Sequence, residues 1–375
     1  MRYYILAGLL AALITFACSF IIWKLGSRYR LYPKIRERDV HTKPTPRLGG
    51  VAIFLGVVVA MLFASQVSWF HLVFSDPGTV TSIFIAALII VVLGVLDDLV
   101  DLDWLIKLAG QLIAAGVLVW QGVQLVTVPI GGVTVVPPVI GLGLTVIAVV
   151  LVMNAVNFID GLDGLVAGVA IIANGVFFLY SYLLAQVVGE TEYFNLASLL
   201  SAVLIGACVG FLPFNWHPAK LFMGDSGALL VGLIMATSAI SVTGQIDPAT
   251  MDSARALAPA FIPIVLPLAV LIVPLLDFGL AVTRRLRAGK SPFSADRKHL
   301  HHRLLDIGHS HLQTVFIFYA WSALFALSAL VLFFVPLWWG LAIFAVGALL
   351  CTWITLAPLI HRKPAAAPRN TTKES

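Results

Sequence analysis

The chain has 375 residues, of which 60% are hydrophobic and 11% charged, and its mean hydropathy is +1.01. Soluble globular domains carry about 25% charged residues, so this composition excludes that class and indicates a protein that crosses a membrane many times. The formal net charge of +5 comes from short basic connectors between apolar runs, which is typical of membrane topology signals, and we expect no nucleic-acid partner.

Apolar runs long enough to cross a hydrocarbon core of ~30 Å fill most of the chain. They predict an all-α polytopic membrane protein with about eleven transmembrane helices, in a single domain over residues 1–360. The first run is interpreted as an uncleaved span because it continues well past Cys18. Residues 361–375 are expected to form a disordered cytoplasmic tail. The predicted spans are 3–24, 48–68, 80–97, 104–120, 139–158, 165–187, 194–212, 226–243, 258–283, 313–335 and 338–360.

The basic residues predict the orientation of these spans. Of the 23 Lys and Arg residues, only Arg2 and Arg255 fall in loops on the N-terminal side. Cytoplasmic loops carry the excess of Lys and Arg, so we expect the N-terminus outside and the C-terminus in the cytoplasm. In the same frame Asp97, Asp160 and Asp225 all face the cytoplasm, although hydropathy alone does not require this.

Asp97 and Asp98 end the third predicted span. On a continuing helix they share a face with Asp101, and Lys107 lies too far along the chain to neutralise all three charges. A divalent cation or a cation-phosphate complex is the natural counter-charge. The alternative is a solvated acidic cluster at a helix end.

The second polar segment is NAVNFIDGLDG (154–164). Asn154 and Asn157 lie near the end of an apolar helix, where an amide facing lipid would be costly, so we expect both to line a polar cavity. Asp160 and Asp163 are each followed by glycine in a turn that opens the next helix, whose free N–H groups favour anions. A simple helix cap by Asp163 remains open.

A third segment, NWHPAKLFMGDSG (215–227), places Asp225 between glycines at the mouth of a span. This carboxylate suits a Mg²⁺ ion that carries phosphate oxygens, although it is equally able to cap the helix. Phe222 is either a core residue or a flat surface on which a nucleobase stacks.

The fourth segment follows Asp296 and predicts a short amphipathic helix on the membrane surface. His299, His302 and Arg303 lie on its polar face and His301 lies off that face, so the three histidines are not a metal triad. Histidine and arginine beside carboxylates suit the binding of a pyrophosphate.

Taken together, HTKPTPRLGG (41–50), LDD (96–98), the second segment, FMGDSG (222–227) and HLHHR (299–303) resemble the polyprenyl-phosphate N-acetylhexosamine-1-phosphate transferases. The resemblance covers about residues 30–312. Its motifs are highly specific when taken together, and no single one of them would identify the family. It implies an integral-membrane enzyme that transfers a sugar-1-phosphate from a UDP-sugar to a lipid phosphate and releases UMP, with Mg²⁺ or Mn²⁺ as cofactor.

The resemblance also implies roles for individual residues. Asp225 corresponds to the metal ligand and Asp97 and Asp98 to paired catalytic carboxylates, while Asp160 and Asp163 line the nucleotide and active site. The remaining correspondences are uracil contacts (Asn215, Phe222), the cytoplasmic histidine motif (His299, His301, His302), a basic loop near the nucleotide (Lys43, Arg47), and further substrate-binding positions (Asn154, Asn157, Arg303).

Two departures from the branch that uses UDP-N-acetylmuramoyl-pentapeptide favour UDP-N-acetylglucosamine (UDP-GlcNAc) as donor. Pro46, Arg47 and Leu48 stand where that branch has a Thr-Met pair before the glycines, and HLHH stands where it has three consecutive histidines. The expected acceptor is undecaprenyl or decaprenyl phosphate, in the cytoplasmic membrane of a bacterium, for the first membrane step of a cell-envelope glycopolymer. The active site is expected to face the cytoplasm, and a homodimer is compatible with the sequence.

Three alternatives remain open at the level of sequence. The pentapeptide branch is the first, and a lipid transporter or flippase is the second. Transporters place ionisable groups near the bilayer midplane, whereas the acids here lie at one face, with Asp277 as the nearest exception. The third concerns mechanism, because either a single displacement with Asp97 or Asp98 as base or a covalent aspartyl intermediate fits the residues.

Overall fold

The protein is described here by a computed structural model, which covers residues 1–29, 45–128, 134–188, 192–243, 257–289, 300–332 and 334–360. Within these ranges the chain is almost entirely α-helical, and the expected all-α polytopic architecture is confirmed. The described α-helices are α1 (Arg2–Tyr29), α2 (Gly49–Ser65), α3 (Pro77–Val100), α4 (Trp104–Trp120), α5 (Pro138–Ile159), α6 (Leu165–Val188), α7 (Glu192–Asn215), α8 (Gly224–Thr243), α9 (Leu257–Arg287), α10 (Leu300–Ile307), α11 (His311–Val331) and α12 (Leu337–Ile360).

Each predicted span overlaps one of these helices, and α10 is the short amphipathic helix expected after Asp296. Among the described residues, eight helices are long and apolar enough to cross a membrane, while α2 and α4 are shorter apolar helices of 17 residues. The number of spans that cross and the direction in which they cross stay predictions. The proposed disordered tail lies outside the described residues.

The most enclosed helix of the bundle is α8. Of its most apolar stretch 94% is buried, against 6% for α12, which packs mainly on α11 at the periphery. The main neighbours of α8 are α2, α3, α5 and α7, and α6 and α9 make smaller contacts with it. Its first turn, which carries Asp225, therefore starts at the centre of one end of the bundle.

The N-terminal end of α3 has a helix cap, and a short hairpin follows α4. Asp76 caps α3 by accepting hydrogen bonds from the amides of Gly78 and Thr79 at 3.0 and 3.3 Å. The hydrogen bond from the Thr79 hydroxyl lowers the pKa of Asp76. Strands β1 (Thr127–Val128) and β2 (Thr134–Val135) pair antiparallel between α4 and α5. Asp97 and Asp98 lie in the last turn of α3 and therefore at the end of this helix opposite to Asp76.

Candidate active site

The acidic ends of α3 and α8 meet at one point. Asp97 and Asp98 lie in the last turn of α3, and Asp225 lies in the first turn of α8. Gly224 permits the approach because its φ is 71°, a value that disfavours other residues, and because a Cβ there would overlap the Arg47 carbonyl and the Asp98 carboxylate. Glycine is thus required where the two helix ends touch.

Asp98 caps α8 from a different helix. Its carboxylate accepts hydrogen bonds from the backbone amides of Asp225 at 3.3 Å and Ser226 at 3.5 Å, and from the Ser226 hydroxyl at 3.4 Å. Free N–H groups at a helix start stabilise an anion in this position. Arg47 lies near enough for its positive charge to act on the same carboxylate. Asp98 is therefore buried and engaged on both oxygens.

Asp97 and Asp225 share one lysine. The ammonium group of Lys107 lies 2.9 Å from Oδ2 of Asp97 and 3.5 Å from Oδ2 of Asp225. The other oxygen of Asp97 accepts from the amide of Leu102 at 2.8 Å. The side chain of Asp97 is almost fully buried, whereas 30% of the Asp225 side chain is exposed. We call Asp97, Asp98, Asp225 and Lys107 the carboxylate cluster.

One expectation about this cluster is wrong, and one contact in it was not foreseen. Helix α3 ends at Val100, and Asp101 takes a left-handed conformation with φ of 56°, so it is exposed and does not share the face of Asp97 and Asp98. The unforeseen contact is that of Lys107 with Asp97, which forms because α4 begins at Trp104 and turns back beside α3. Lys107 contacts two of the three carboxylates that meet here.

The carboxylate cluster fits a magnesium ion. Its donors are carboxylate oxygens, the ligands that Mg²⁺ prefers, and one of them is partly open to solvent on Asp225. The carboxylates of Asp97 and Asp225 also approach one another closely, and like charges at such range favour a cation beside them. In this structure the Lys107 ammonium group takes up part of that role.

The basic loop before α2 lies against the start of α8. The amide of Phe222 donates to the carbonyl of Pro46 at 2.8 Å, and the amides of Gly49 and Gly50 donate to the carbonyls of Phe222 and Met223 at 3.0 Å each. This backbone pairing holds Arg47 and Phe222 beside the carboxylate cluster. Lys43 lies outside the described residues.

The intramembrane amide Asn154 has a partner that the sequence did not suggest. Its side-chain amide donates to Oε1 of Gln111 at 2.6 Å and to the carbonyl of Val150 at 2.8 Å. The pair joins α4 to α5, and Asn154 is half-buried there, while its place in a polar cavity stays a prediction. Asn157 is half-buried one turn further on, and its contact with substrate stays a prediction.

Asp163 is buried in a second group of polar residues. Its Oδ2 accepts from Nδ1 of His217 at 2.7 Å and from the amide of Ala219 at 3.1 Å, and its own amide donates to Nε2 of His311 at 3.1 Å. Only 1% of the Asp163 side chain is exposed, against 38% for His217. We call Asp163, His217 and His311 the loop cluster.

The loop cluster also offers three potential metal donors within 4.8 Å of one another. Its two imidazole rings, however, stack 4.2 Å apart with only 21° between their planes. Lone pairs lie in the ring planes, so two nearly parallel rings do not direct them at one shared ion. One donor atom of each residue, Oδ2 of Asp163, Nδ1 of His217 and Nε2 of His311, already has the hydrogen bond given above. The loop cluster is therefore a hydrogen-bonded group in this structure.

Asn215 ties the same loop to the segment before α8. Its Oδ1 accepts from the amide of Gly164 at 2.9 Å, and its Nδ2 donates to the carbonyl of Leu221 at 3.1 Å. The hydroxyl of Tyr319 donates to the carbonyl of Gly164. Asp160 follows α5 and is half-buried. The predicted roles of Asn215 and Asp160 in nucleotide binding are not tested by these contacts.

The described part of the histidine motif, His301 and His302, lies on α10, and the two side chains differ in burial. His301 is buried against Gly161, where a Cβ would overlap the imidazole ring. The ring of His302 lies 4.3 Å from that of His301 and is half-buried, whereas Arg303 is exposed. His299 lies outside the described residues.

Sequence reasoning missed the roles of Lys107, Gln111, His217 and His311. Lys107 and Gln111 are four residues apart in an otherwise apolar helix, on the stripe that continues to the buried Ala114, Ala115 and Leu118. That spacing is a usable signal that the polar pair faces inward. The two histidines meet only through the tertiary structure, and we find no local sequence signal for them.

The comparisons with known proteins agree with these motifs. The model of Glycosyl transferase family 4 matches residues 80–243, which include all three acids of the carboxylate cluster. A decaprenyl-phosphate N-acetylglucosaminephosphotransferase of Mycolicibacterium smegmatis is 40% identical over 96% of this chain and 90% of the relative.

Two further relatives represent other branches. A probable undecaprenyl-phosphate N-acetylglucosaminyl 1-phosphate transferase of Bacillus subtilis is 33% identical over 90% of this chain and 87% of its own length. A phospho-N-acetylmuramoyl-pentapeptide-transferase of Halalkalibacterium halodurans is 34% identical, but over only 65% of this chain and 77% of its own length. The chain thus belongs to Glycosyl transferase family 4, as its motifs predict.

Proposed function

We propose that this protein transfers N-acetylglucosamine-1-phosphate from UDP-GlcNAc to a membrane polyprenyl phosphate, giving polyprenyl-diphospho-N-acetylglucosamine and UMP. The observation that carries the proposal is the convergence of Asp97, Asp98 and Asp225 around Lys107 at one end of a membrane helix bundle. Such a concentration of buried negative charge is costly in folding and suits a site that binds a metal-complexed diphosphate.

In the proposed reaction an oxygen of the lipid phosphate attacks the phosphorus that carries the sugar. The bond from that phosphorus to the bridging oxygen breaks, and the electron pair leaves with UMP. A phosphate monoester has a second pKa of about 6, so the acceptor is already mostly dianionic at neutral pH and needs little base catalysis. Bound Mg²⁺, or Mn²⁺, would neutralise the donor diphosphate and the departing UMP.

The residues of the carboxylate cluster would divide the work by exposure and by the partner of each carboxylate: Oδ2 of Asp97 contacts the Lys107 side chain, whereas the Asp98 oxygens contact the backbone at the start of α8. Asp225, with its partly open side chain, would hold the metal, and Asp97 beside it would orient the acceptor phosphate and take a residual proton. Asp98 would act differently from the expectation of a catalytic pair, because both its oxygens already hold the start of α8. Its proposed role is to fix Asp225.

The surrounding loops would bind the nucleotide sugar. Phe222 offers its ring to uracil, and Arg47 adds positive charge near the diphosphate. Asn215, Asn154, Asn157 and Asp160 remain proposed contacts around this pocket. His301, His302 and Arg303 on α10 would steady the pyrophosphate.

The GlcNAc donor and the polyprenyl acceptor are proposed from the relatives. The mycobacterial and Bacillus relatives, named as N-acetylglucosamine-phosphate transferases, align over nearly the whole chain. The relative named for the muramoyl-pentapeptide aligns over a smaller part. The proposed location is the cytoplasmic membrane of a bacterium, with the site on the cytoplasmic face, and the placement of Lys and Arg supports that orientation.

A donor-competition assay tests this proposal. The purified full chain in detergent would be given UDP-GlcNAc, a short polyprenyl phosphate and Mg²⁺, and UMP release and the lipid product would be measured. We expect product of the mass of polyprenyl-diphospho-N-acetylglucosamine, and no turnover when UDP-N-acetylmuramoyl-pentapeptide is the donor. Turnover of the pentapeptide donor alone would overturn the proposal, and so would UMP release without any lipid product.

A further inference from the structure

Helix α9 carries a buried carboxylate that the proposed chemistry does not use. Asp277 is 1% exposed and lies within an apolar helix, where an ionisable group is costly. Its described hydrogen-bond partner, Leu300, lies 23 residues later in the chain. A charge retained at such a position requires a structural or functional reason.

The contact of Asp277 is with the start of the histidine helix. Its Oδ1 accepts a hydrogen bond from the amide of Leu300, the first residue of α10, at 2.9 Å. The first amides of a helix have no partner inside the helix, and a carboxylate placed there is stabilised by the helix dipole. Asp277 thus serves α10 as a cap supplied by another helix.

The next residue of α10 reaches the proposed active site. His301 follows Leu300 directly, and its buried ring lies against Gly161 in the loop that carries Asp160 and Asp163. Gly161 leaves no room for a Cβ, so the ring and the loop are closely matched. A small rotation of the start of α10 would move this imidazole away from the loop.

The far end of α10 is anchored separately. His309, just after the helix, is buried, and its Nε2 lies 2.9 Å from the carbonyl oxygen of Thr355 on α12. The hydroxyl of Thr355 accepts from the indole of Trp321 at 3.2 Å. Helix α10 is therefore held at its start by α9 and at its end by α12, through unrelated contacts.

We infer that Asp277 is a positioning residue that holds the start of α10 so that His301 stays against the Gly161 loop. The inference rests on the proposed function for its effect on catalysis, although not for the contact itself. Asp277 does not act on substrate directly. It acts through the position of His301.

Labelling of individual histidines tests this inference without substrate. Diethyl pyrocarbonate modifies exposed imidazoles, and mass spectrometry of the full chain in detergent resolves His301 from His309. In Asp277→Ala we expect the modification rate of His301 to rise about fivefold or more, as for a helix start that has lost its cap, with that of His309 unchanged. Asp277→Asn, which keeps an acceptor oxygen, should give a smaller rise.

The control removes a cap elsewhere. Asp76→Ala deletes the carboxylate that caps α3 at the end of that helix remote from Asp97, and it should leave both histidines protected. Continued protection of His301 in Asp277→Ala would overturn the inference. A parallel rise at His309 would also overturn it, because the whole fold would then have loosened. If Asp277→Ala does not fold, the same criteria apply to Asp277→Asn.

A kinetic double-mutant cycle tests the route of action. Asp277→Ala should lower kcat/KM about 10- to 100-fold in the wild-type chain, and should cost little more in a His301→Ala background, because both changes remove the same placed imidazole. Equal losses in both backgrounds would show that Asp277 acts through another group and would overturn the inference. A wild-type chain that transfers no sugar phosphate refutes the proposed function instead, and leaves the labelling result standing.

Discussion

The carboxylate cluster and the loop cluster lie at the same end of the bundle and differ in how their charge is balanced. In the carboxylate cluster three acids meet, and Lys107 contacts two of them. In the loop cluster one acid, Asp163, accepts hydrogen bonds from His217 and from a backbone amide. The first group has an excess of buried negative charge, whereas the second is satisfied by its own neighbours.

We interpret this difference as one between a proposed binding site and a structural tie, although both groups contain a buried aspartate. A carboxylate with its hydrogen bonds complete holds parts of the chain together and gains nothing from a metal ion. Carboxylates that crowd one another remain costly until a cation joins them. Substitutions in the carboxylate cluster should therefore change the Mg²⁺ requirement of the reaction, and substitutions in the loop cluster should not. Variants in each cluster test this difference.

The largest effect is expected from Asp225→Asn. The substitution removes the negative charge of the most exposed acid in the carboxylate cluster while keeping its size, so metal-dependent turnover should fall by about 10³-fold or more. UMP release measured across a Mg²⁺ titration checks this, and chelation of divalent ions should abolish wild-type activity equally.

Asp76→Asn is the matched control for that substitution. It makes the same chemical change at the cap of α3, far along that helix from Asp97, and should leave turnover close to that of the wild type. Near-normal rates in Asp225→Asn would contradict the assignment of this residue as the metal ligand. Comparable losses in both variants would point to a general effect of removing a carboxylate.

An intermediate effect is expected from Lys107→Met. The ammonium group competes with a metal ion for Asp97 and Asp225, so its removal should lower the Mg²⁺ concentration for half-maximal rate about fivefold. At the same time kcat should fall about tenfold, because Asp97 loses its anchor. Lys107→Arg keeps the charge and should retain the wild-type metal requirement. A higher metal requirement in Lys107→Met would contradict the competition.

The helices were predictable because the lipid core makes their signal strong. Each predicted span overlaps an observed helix, since about 20 apolar residues in a membrane have few alternatives to a helix. The meeting of Asp97, Asp98 and Asp225 was predictable because the sequence places all three at the same predicted face of the membrane. What failed was local geometry: the left-handed residue Asp101 ends α3, and the turn that follows returns Lys107 to the acids.

The second kind of miss concerns contacts between distant parts of the chain. The carboxylates of Asp98 and Asp277 cap helices that begin 126 and 23 residues later in the sequence, at Gly224 and Leu300. Capping rules read from sequence look only at the residue before a helix. A cap supplied by another helix has no such signature, so neither of these contacts was predicted.

The smallest effects are expected in the loop cluster. His217→Ala removes a 2.7 Å hydrogen bond to a buried carboxylate and leaves the amide of Ala219 as a described partner of the same oxygen. A hydrogen bond to a charged group contributes about 1.5–3 kcal/mol, so the midpoint of thermal unfolding should fall by several degrees, at about 2–4 °C per kcal/mol. His311→Ala should behave similarly, because it removes the acceptor of the Asp163 amide.

The activity of His217→Ala and His311→Ala should change only slightly, through KM and not through the metal requirement. A looser Asp163 loop should raise KM for UDP-GlcNAc a few-fold, while the Mg²⁺ concentration for half-maximal rate stays unchanged, because no residue of the loop cluster holds the metal in this division. Thermal unfolding and a metal titration of the same two preparations check both halves of the prediction. If His217→Ala or His311→Ala raised the metal requirement strongly at unchanged stability, the stacked imidazoles would have to separate and bind an ion during turnover, and the distinction between the two clusters would fail.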